Sequence, residues 1–338
     1  MSTGASTMGL SILFRLPIFI FDLATMGVLY ITGTKLGQPH MARLASLIWF
    51  LNPYTLLSVE LSGLPDVVPV FLIVCAINLS ISRRFLPAAA TVAVGIFFKF
   101  FPLVLVVPMF LSFSTRGFTR KQLATALVPI LIGLVGYLSW VLPSGFPSIT
   151  QYTPVTQPIP FILGAQVVVG IGYTISPSTF GIVSLYGLLV LFSKRGILIP
   201  TLLSTLMAYY LLASPYPQYF LWALPLIALD VVFVSRSRVF LAGIFYSLAF
   251  MYWFLGSYAF LTPSGYSLLM IPIGASNPSI YVLQLRRFFE NDQLLNVIIL
   301  PLVYSTLFAS TLVYAVDAAR SWFAQIPKQR ERNVEAPS

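Results

Sequence analysis

Residues 196–229 read GILIPTLLSTLMAYYLLASPYPQYFLWALPLIAL, a run without a single Asp, Glu, Lys or Arg. About 20 apolar residues are enough for a helix to cross a bilayer, so this run holds at least one span. Two more uncharged runs, 122–193 and 239–285, have the same character. The chain is 58% hydrophobic and 8% charged, where a water-soluble domain carries ~25% charged residues. The sequence therefore specifies an all-α fold, a polytopic transmembrane helix bundle, and excludes a soluble globular one.

Hydropathy marks about nine spans, at 12–34, 43–60, 66–82, 122–142, 177–193, 197–214, 217–234, 239–260 and 294–316. The net charge of +10 does not indicate a nucleic-acid partner, because Lys and Arg lie in small clusters between apolar segments. They read as topology signals, since cytoplasmic loops are enriched in both. Placing Lys35/Arg43, Arg83/Arg84, Arg116/Arg120/Lys121, Lys194/Arg195, Arg236/Arg238 and the tail inside leaves only Arg15, Lys99, Arg286 and Arg287 elsewhere. Residues 1–317 form one transmembrane domain on this reading, and 318–338 a polar, disordered cytoplasmic tail. One cysteine, Cys75, and one histidine, His40, exclude a disulfide framework and a Cys/His metal site.

Residues 85–115 run between two cytoplasmic clusters with one charge, Lys99. Two full crossings need ~40 residues, so the segment is expected to form two short helices meeting at Phe100-Phe101-Pro102, or a re-entrant turn. Irregular backbone at membrane depth needs cover from protein or a polar cavity, which Lys99 would mark. The same topology puts the N-terminus outside, although residues 1–14 are uncharged and show no cleavage signal.

Charges near the bilayer centre cost ~2.5–3.5 kcal/mol on insertion scales, so each one is a functional candidate. Asp22 lies midway along the first span and reads either as a hydrogen-bonding strut between helices or as a cavity residue. Lys99 reads as a snorkelling side chain or as a point-charge partner for a phosphate. Asp66 follows Pro65, a pairing that suits the first turn of a helix, and with Glu60 it brackets a short external turn. Ser214-Pro215-Tyr216-Pro217-Gln218-Tyr219-Phe220-Leu221-Trp222 reads as an interfacial aromatic belt, yet belts need neither Gln218 nor two close prolines. Glu290-Asn291-Asp292 could help hold a divalent cation or cap the last span; no other metal ligands are expected.

Taken in order, Phe21-Asp22-Leu23, Trp49-Phe50-Leu51-Asn52-Pro53, Ser62-Gly63, Asp66, Gly95, Lys99, Pro102, Pro108 and Gln218-Tyr219-Phe220-Leu221-Trp222 form a pattern over residues 14–230. It resembles the membrane-embedded glycosyltransferases of the C superfamily, in particular the first mannosyltransferase of glycosylphosphatidylinositol anchor synthesis and its microbial relatives. The resemblance implies transfer of a hexose, mannose first, from a polyprenyl- or dolichyl-phosphate sugar to a lipid-linked or glycan acceptor at the outer or lumenal face. It implies Asp66 and Glu60 as the acids, Lys99 and Arg15 as contacts for the donor phosphate, and Asp22, Gln218, Tyr219 and Trp222 as cavity residues.

Relatives of this kind carry a first span and a long external loop with the catalytic aspartate before the segment corresponding to 12–34. The chain is therefore read either as truncated or as completed by a partner polypeptide that supplies that part, beside the polyprenyl lipid and the membrane itself. The alternative is a non-catalytic accessory subunit or polyprenyl-lipid carrier. A solute transporter fits less well, because only one broken segment occurs and no internal repeat.

Overall fold

The computed structural model describes residues 3–37, 39–56, 59, 64–99, 101–114, 119–141, 167–169, 173–175, 198–213, 217–234, 238–256 and, near the C-terminus, 306, 309, 312, 313 and 316. Its regular structure is helical apart from one short antiparallel pair, β1 (Val167–Val169) with β2 (Tyr173–Ile175), in which Val168 faces Thr174. The chain forms two compact units, Met1–Val74 with Pro215–Tyr314 and Cys75–Ser214 with Ala315–Ser338.

The first unit is built on a helical hairpin. Helix α1 (Thr3–Lys35) keeps its polar residues satisfied internally, with Thr25 Oγ1 donating to the Phe21 carbonyl at 2.8 Å and Thr32 Oγ1 to that of Val28 at 2.7 Å. It stops at Gly37, whose φ of +86° only glycine adopts freely. Helix α2 (Pro39–Phe50) then returns along it. A Cβ on Gly33 would lie 2.6 Å from Ala42 Cβ, so the backbones touch there without room for a side chain. Farther along, Ser46 Oγ donates to the Met26 carbonyl at 3.1 Å.

The span expected at 43–60 does not continue as one helix. It breaks after Phe50, because Pro53 has no N–H to offer and its ring opposes a helical residue before it. Asn52 Oδ1 accepts from the Tyr54 N–H at 2.8 Å and caps the one-turn α3 (Pro53–Thr55). The expected span 217–234 is likewise composite: a 3-10 turn (Pro217–Trp222), α9 (Leu224–Leu229) and a π-helical turn (Asp230–Val234). Pro225 cannot donate to residue 221 and clashes with its carbonyl, which forces the change of helix type. α10 (Val239–Gly256) closes the unit, with Tyr246 Oη donating to the Leu224 carbonyl at 2.9 Å.

α4 (Val67–Ile81) ends in the second unit with a six-residue reverse cap, Arg84 N–H to the Leu79 carbonyl at 2.9 Å and Arg83 N–H to that of Ser80 at 3.1 Å. Arg83 occupies the left-handed position, φ 58°, that glycine ordinarily fills, at a cost of roughly 1 kcal/mol. The segment 85–115 is two short helices, α5 (Phe85–Phe98) and α6 (Pro102–Ser114), as its length requires. Lys99 is extended between them (φ −159°, ψ 144°).

α7 (Arg120–Val141) starts with a reciprocal cap in Thr119-Arg120-Lys121-Gln122: Gln122 N–H donates to Thr119 Oγ1 at 3.3 Å and Thr119 N–H to Gln122 Oε1 at 3.1 Å. A Cβ on Gly133 would meet the Ala93 carbonyl oxygen at 2.5 Å, and one on Gly136 the Phe97 ring at 3.0 Å. Both contacts advance together along the two chains, so α5 and α7 run parallel, with α6 returning between them in sequence. Such glycine seams are how helices approach closely in membranes. α8 (Leu198–Ala213) packs on α6, and its Leu202, Leu206 and Tyr210, spaced one turn apart, are buried.

Among the described residues two helices, Arg15–Lys35 and Arg120–Ser139, are long and apolar enough to cross a membrane. Val67–Ile81, Phe85–Phe98, Tyr219–Val234 and Val239–Met251 are apolar but shorter. The expected span 177–193 and nearly all of 294–316 lie outside the described residues.

Candidate functional site

Asp66 sits at the start of α4, where its carbonyl accepts from the Val70 N–H at 3.3 Å. Its carboxylate is buried, with 4% exposure. Oδ1 accepts the indole N–H of Trp222 at 3.0 Å. Trp222 ends the 3-10 turn, in which residues three apart eclipse, and Tyr219 accordingly stacks on it with centroids 4.3 Å apart and planes 21° apart. The buried phenol of Tyr54 is near enough to feel the Asp66 charge. Asp66, Tyr219 and Trp222, named separately from the sequence, thus form one cluster, to which the Asn52-Pro53-Tyr54 break contributes a third aromatic.

Asp22 occupies a parallel arrangement in the same unit. Its Oδ1 accepts from Trp49 Nε1 at 2.7 Å, both residues are fully buried, and the bond ties α1 to α2. This is the strut geometry. The two ends of Trp49-Phe50-Leu51-Asn52-Pro53-Tyr54 therefore face two different carboxylates, and the proline break lets one short segment do both.

A third buried acid was not singled out from the sequence. Asp230 is fully buried in the π-helical turn, and both its oxygens accept from Arg238 Nη1 at 2.8 Å. Arg238 is itself 1% exposed, so its charge is neutralised inside the unit and is not the solvated topology signal expected of Arg236/Arg238. The legible cue is an acid ending the uncharged run 196–229, followed eight residues later by an arginine.

Lys99 lies in the second unit and is partly exposed. Equal distances along α5 and α7 from the Ala93–Gly133 crossing bring Lys99 level with about Ser139, near the end of α7, and Arg84 level with about Ala124, near its start. Lys99 is thus at the tip of the α5–α6 hairpin, about 20 Å from the arginine end. The outer face of α5 leading to it is apolar and exposed at Leu86 (51%), Val94 (49%) and Phe97 (53%).

Arg15 is partly exposed in the N-terminal part of α1. Glu60, the Gln218 side chain and Glu290-Asn291-Asp292 lie outside the described residues. Among the described residues no three His, Cys, Asp or Glu side chains converge as a metal site would require.

Chemically, the first unit offers carboxylates oriented by indole donors and flanked by aromatic rings. The second offers a cation at the end of an apolar track. No family model, curated protein or solved structure matches this chain.

Proposed function

We propose that the chain is an integral, multi-pass membrane protein of about nine spans that binds a polyprenyl-phosphate sugar and forms the helical body of a hexosyltransferase acting at the outer or lumenal face. The observation that carries the lipid part is Lys99. It sits at the tip of a hairpin whose exposed face is apolar, so a prenyl tail can lie along Leu86, Val94 and Phe97 while its phosphate meets the ammonium group.

Membrane placement is supported by the two long helices. Only 28% of Arg15–Lys35 and 17% of Arg120–Ser139 is buried within the protein. A soluble core helix would bury most of such a stripe, whereas Leu127, Leu131, Ile132 and Val135 on α7 remain 41–67% exposed. In lipid that exposure carries no penalty.

The transfer step rests on the resemblance in the Asp22, Asn52-Pro53, Asp66, Lys99 and Gln218–Trp222 pattern. Fixed positive charge beside the leaving phosphate would stabilise what develops as the sugar is attacked. Asp66, Glu60 or an acid from a partner polypeptide would take the acceptor's proton. A specific observation favours the second reading, an accessory subunit or lipid carrier without chemistry: Asp22 and Asp66 are both buried acceptors of tryptophan N–H groups, as struts are.

Membranes containing this chain, alone and then with candidate partners, should transfer radiolabelled mannose from polyprenyl phosphomannose. Binding of the lipid without transfer under any pairing would establish the carrier reading, and no binding would remove both.

A further inference from the structure

The parallel course of α5 and α7 gathers charge at one end of the second unit. Arg83 and Arg84 precede α5, while Arg120 and Lys121 form the first turn of α7, and all four are exposed. Arg84 is level with about Ala124, one turn into α7, so the two basic pairs lie at the same end of the unit.

These positions are unfavourable for cations. The N-terminal end of a helix carries partial positive charge and attracts anions. Arg84 caps α5 with no side-chain hydrogen bond, Arg83 is held in the left-handed region, and the Thr119–Gln122 cap fixes Arg120 and Lys121 where the dipole opposes them. Among the described residues of this unit there is no Asp or Glu, and the sequence has none between Asp66 and Asp230. Directly beyond the cluster, exposed Leu86 on α5 and Leu127 and Val128 on α7 continue as apolar surface.

We infer that Arg83, Arg84, Arg120 and Lys121 form a binding site for the headgroup of an anionic phospholipid, whose acyl chains lie along the outer face of α7. Basic clusters at helix ends on one membrane side take such headgroups, and the phosphate complements the positive helix termini and the four basic side chains. The site is at the opposite end of α5 from Lys99. It rests on the membrane placement proposed above and not on glycosyl transfer.

The test uses the purified full chain in a non-ionic detergent, titrated with phosphatidylglycerol, phosphatidylcholine or inorganic phosphate and read by native mass spectrometry of bound lipid. Phosphatidylglycerol is expected to bind at least tenfold more tightly than phosphatidylcholine. Each of R83Q, R84Q, R120Q and K121Q should weaken it by about fivefold, the ratio for one basic residue facing an anionic surface. The charge-conserving R84K/R120K should retain it, and K35Q/R43Q, which lowers net charge elsewhere, should leave it unchanged.

Equal affinity for both lipids would overturn the inference, as would an equal loss in K35Q/R43Q. Inorganic phosphate displacing phosphatidylglycerol at comparable concentrations would show an anion site rather than a lipid site. Because the glutamine substitutions relieve unfavourable helix-end charge, they are expected to fold; lipid binding unchanged in the folded quadruple variant would be decisive against the site.

Discussion

Trp222 donates its indole N–H to Asp66 Oδ1 at 3.0 Å although the two residues are 156 positions apart in sequence. The bond fastens the 3-10 turn to the head of α4, and it settles which variants can separate a structural from a chemical role for Asp66. Trp222→Phe keeps the aromatic packing but deletes the donor, and should lower stability by roughly 1.5–3 kcal/mol. Asp66→Asn retains an acceptor oxygen while removing the charge, so its loss should be smaller. If Asp66 is the acid in transfer, Asp66→Asn abolishes product formation at full lipid binding and Trp222→Phe does not. Equal effects of the two on melting and on transfer would leave Asp66 as a strut.

Lys99→Met preserves most of the apolar stem and deletes the charge. The hairpin should persist, because Pro102 and not the ammonium group determines the break. Loss of one charge-assisted contact of ~1.5–3 kcal/mol should weaken binding of a polyprenyl phosphate by roughly 10- to 100-fold. Unchanged lipid titration in this variant would return Lys99 to a snorkelling role.

Gly133 and Gly27 offer a matched contrast. A Cβ at Gly133 would meet the Ala93 carbonyl oxygen at 2.5 Å, while one at Gly27 meets nothing within 4 Å. Gly133→Ala should cost about 1–3 kcal/mol by pushing α7 off α5. Gly27→Ala should be neutral or stabilise by about 0.5–1 kcal/mol, because a helical glycine gives up more backbone freedom than alanine. Thermal unfolding in detergent checks both, and a harmless Gly133→Ala would contradict the close parallel seam.

Removing Arg238 alone leaves a buried carboxylate without its counter-charge. Arg238→Met should therefore destabilise by about 3–5 kcal/mol, whereas Asp230→Leu/Arg238→Met together should recover most of the loss. A double variant no better than the single one would mean that the pair is not the principal partner of either charge.

The break at Lys99 was readable from the sequence because it follows from length: 31 residues between basic clusters cannot cross twice. The break at Asn52-Pro53 and the composite 217–234 segment were not, since a hydropathy window sees apolar content and not helix type. Pro225 carried the signal for the second, but it is spread through an otherwise continuous apolar run. Trp222 and Asp66 were each conspicuous, yet nothing local states that they meet. Asp230 is inconspicuous in the sequence because Arg236 and Arg238 follow it and read together as a topology signal; only the burial of Asp230 against Arg238 reveals the pair.

Trp49 and Trp222 have their pyrrole nitrogens committed to carboxylates. Indole emission and near-ultraviolet absorption respond to a negative charge held at that nitrogen. The unmodified protein therefore contains an optical reporter at Asp22 and another at Asp66. Engagement of Asp66 by a hydroxyl of a bound ligand should shift the Trp222 contribution in a spectrum from which Trp222→Phe removes it, so events at that carboxylate can be followed by light.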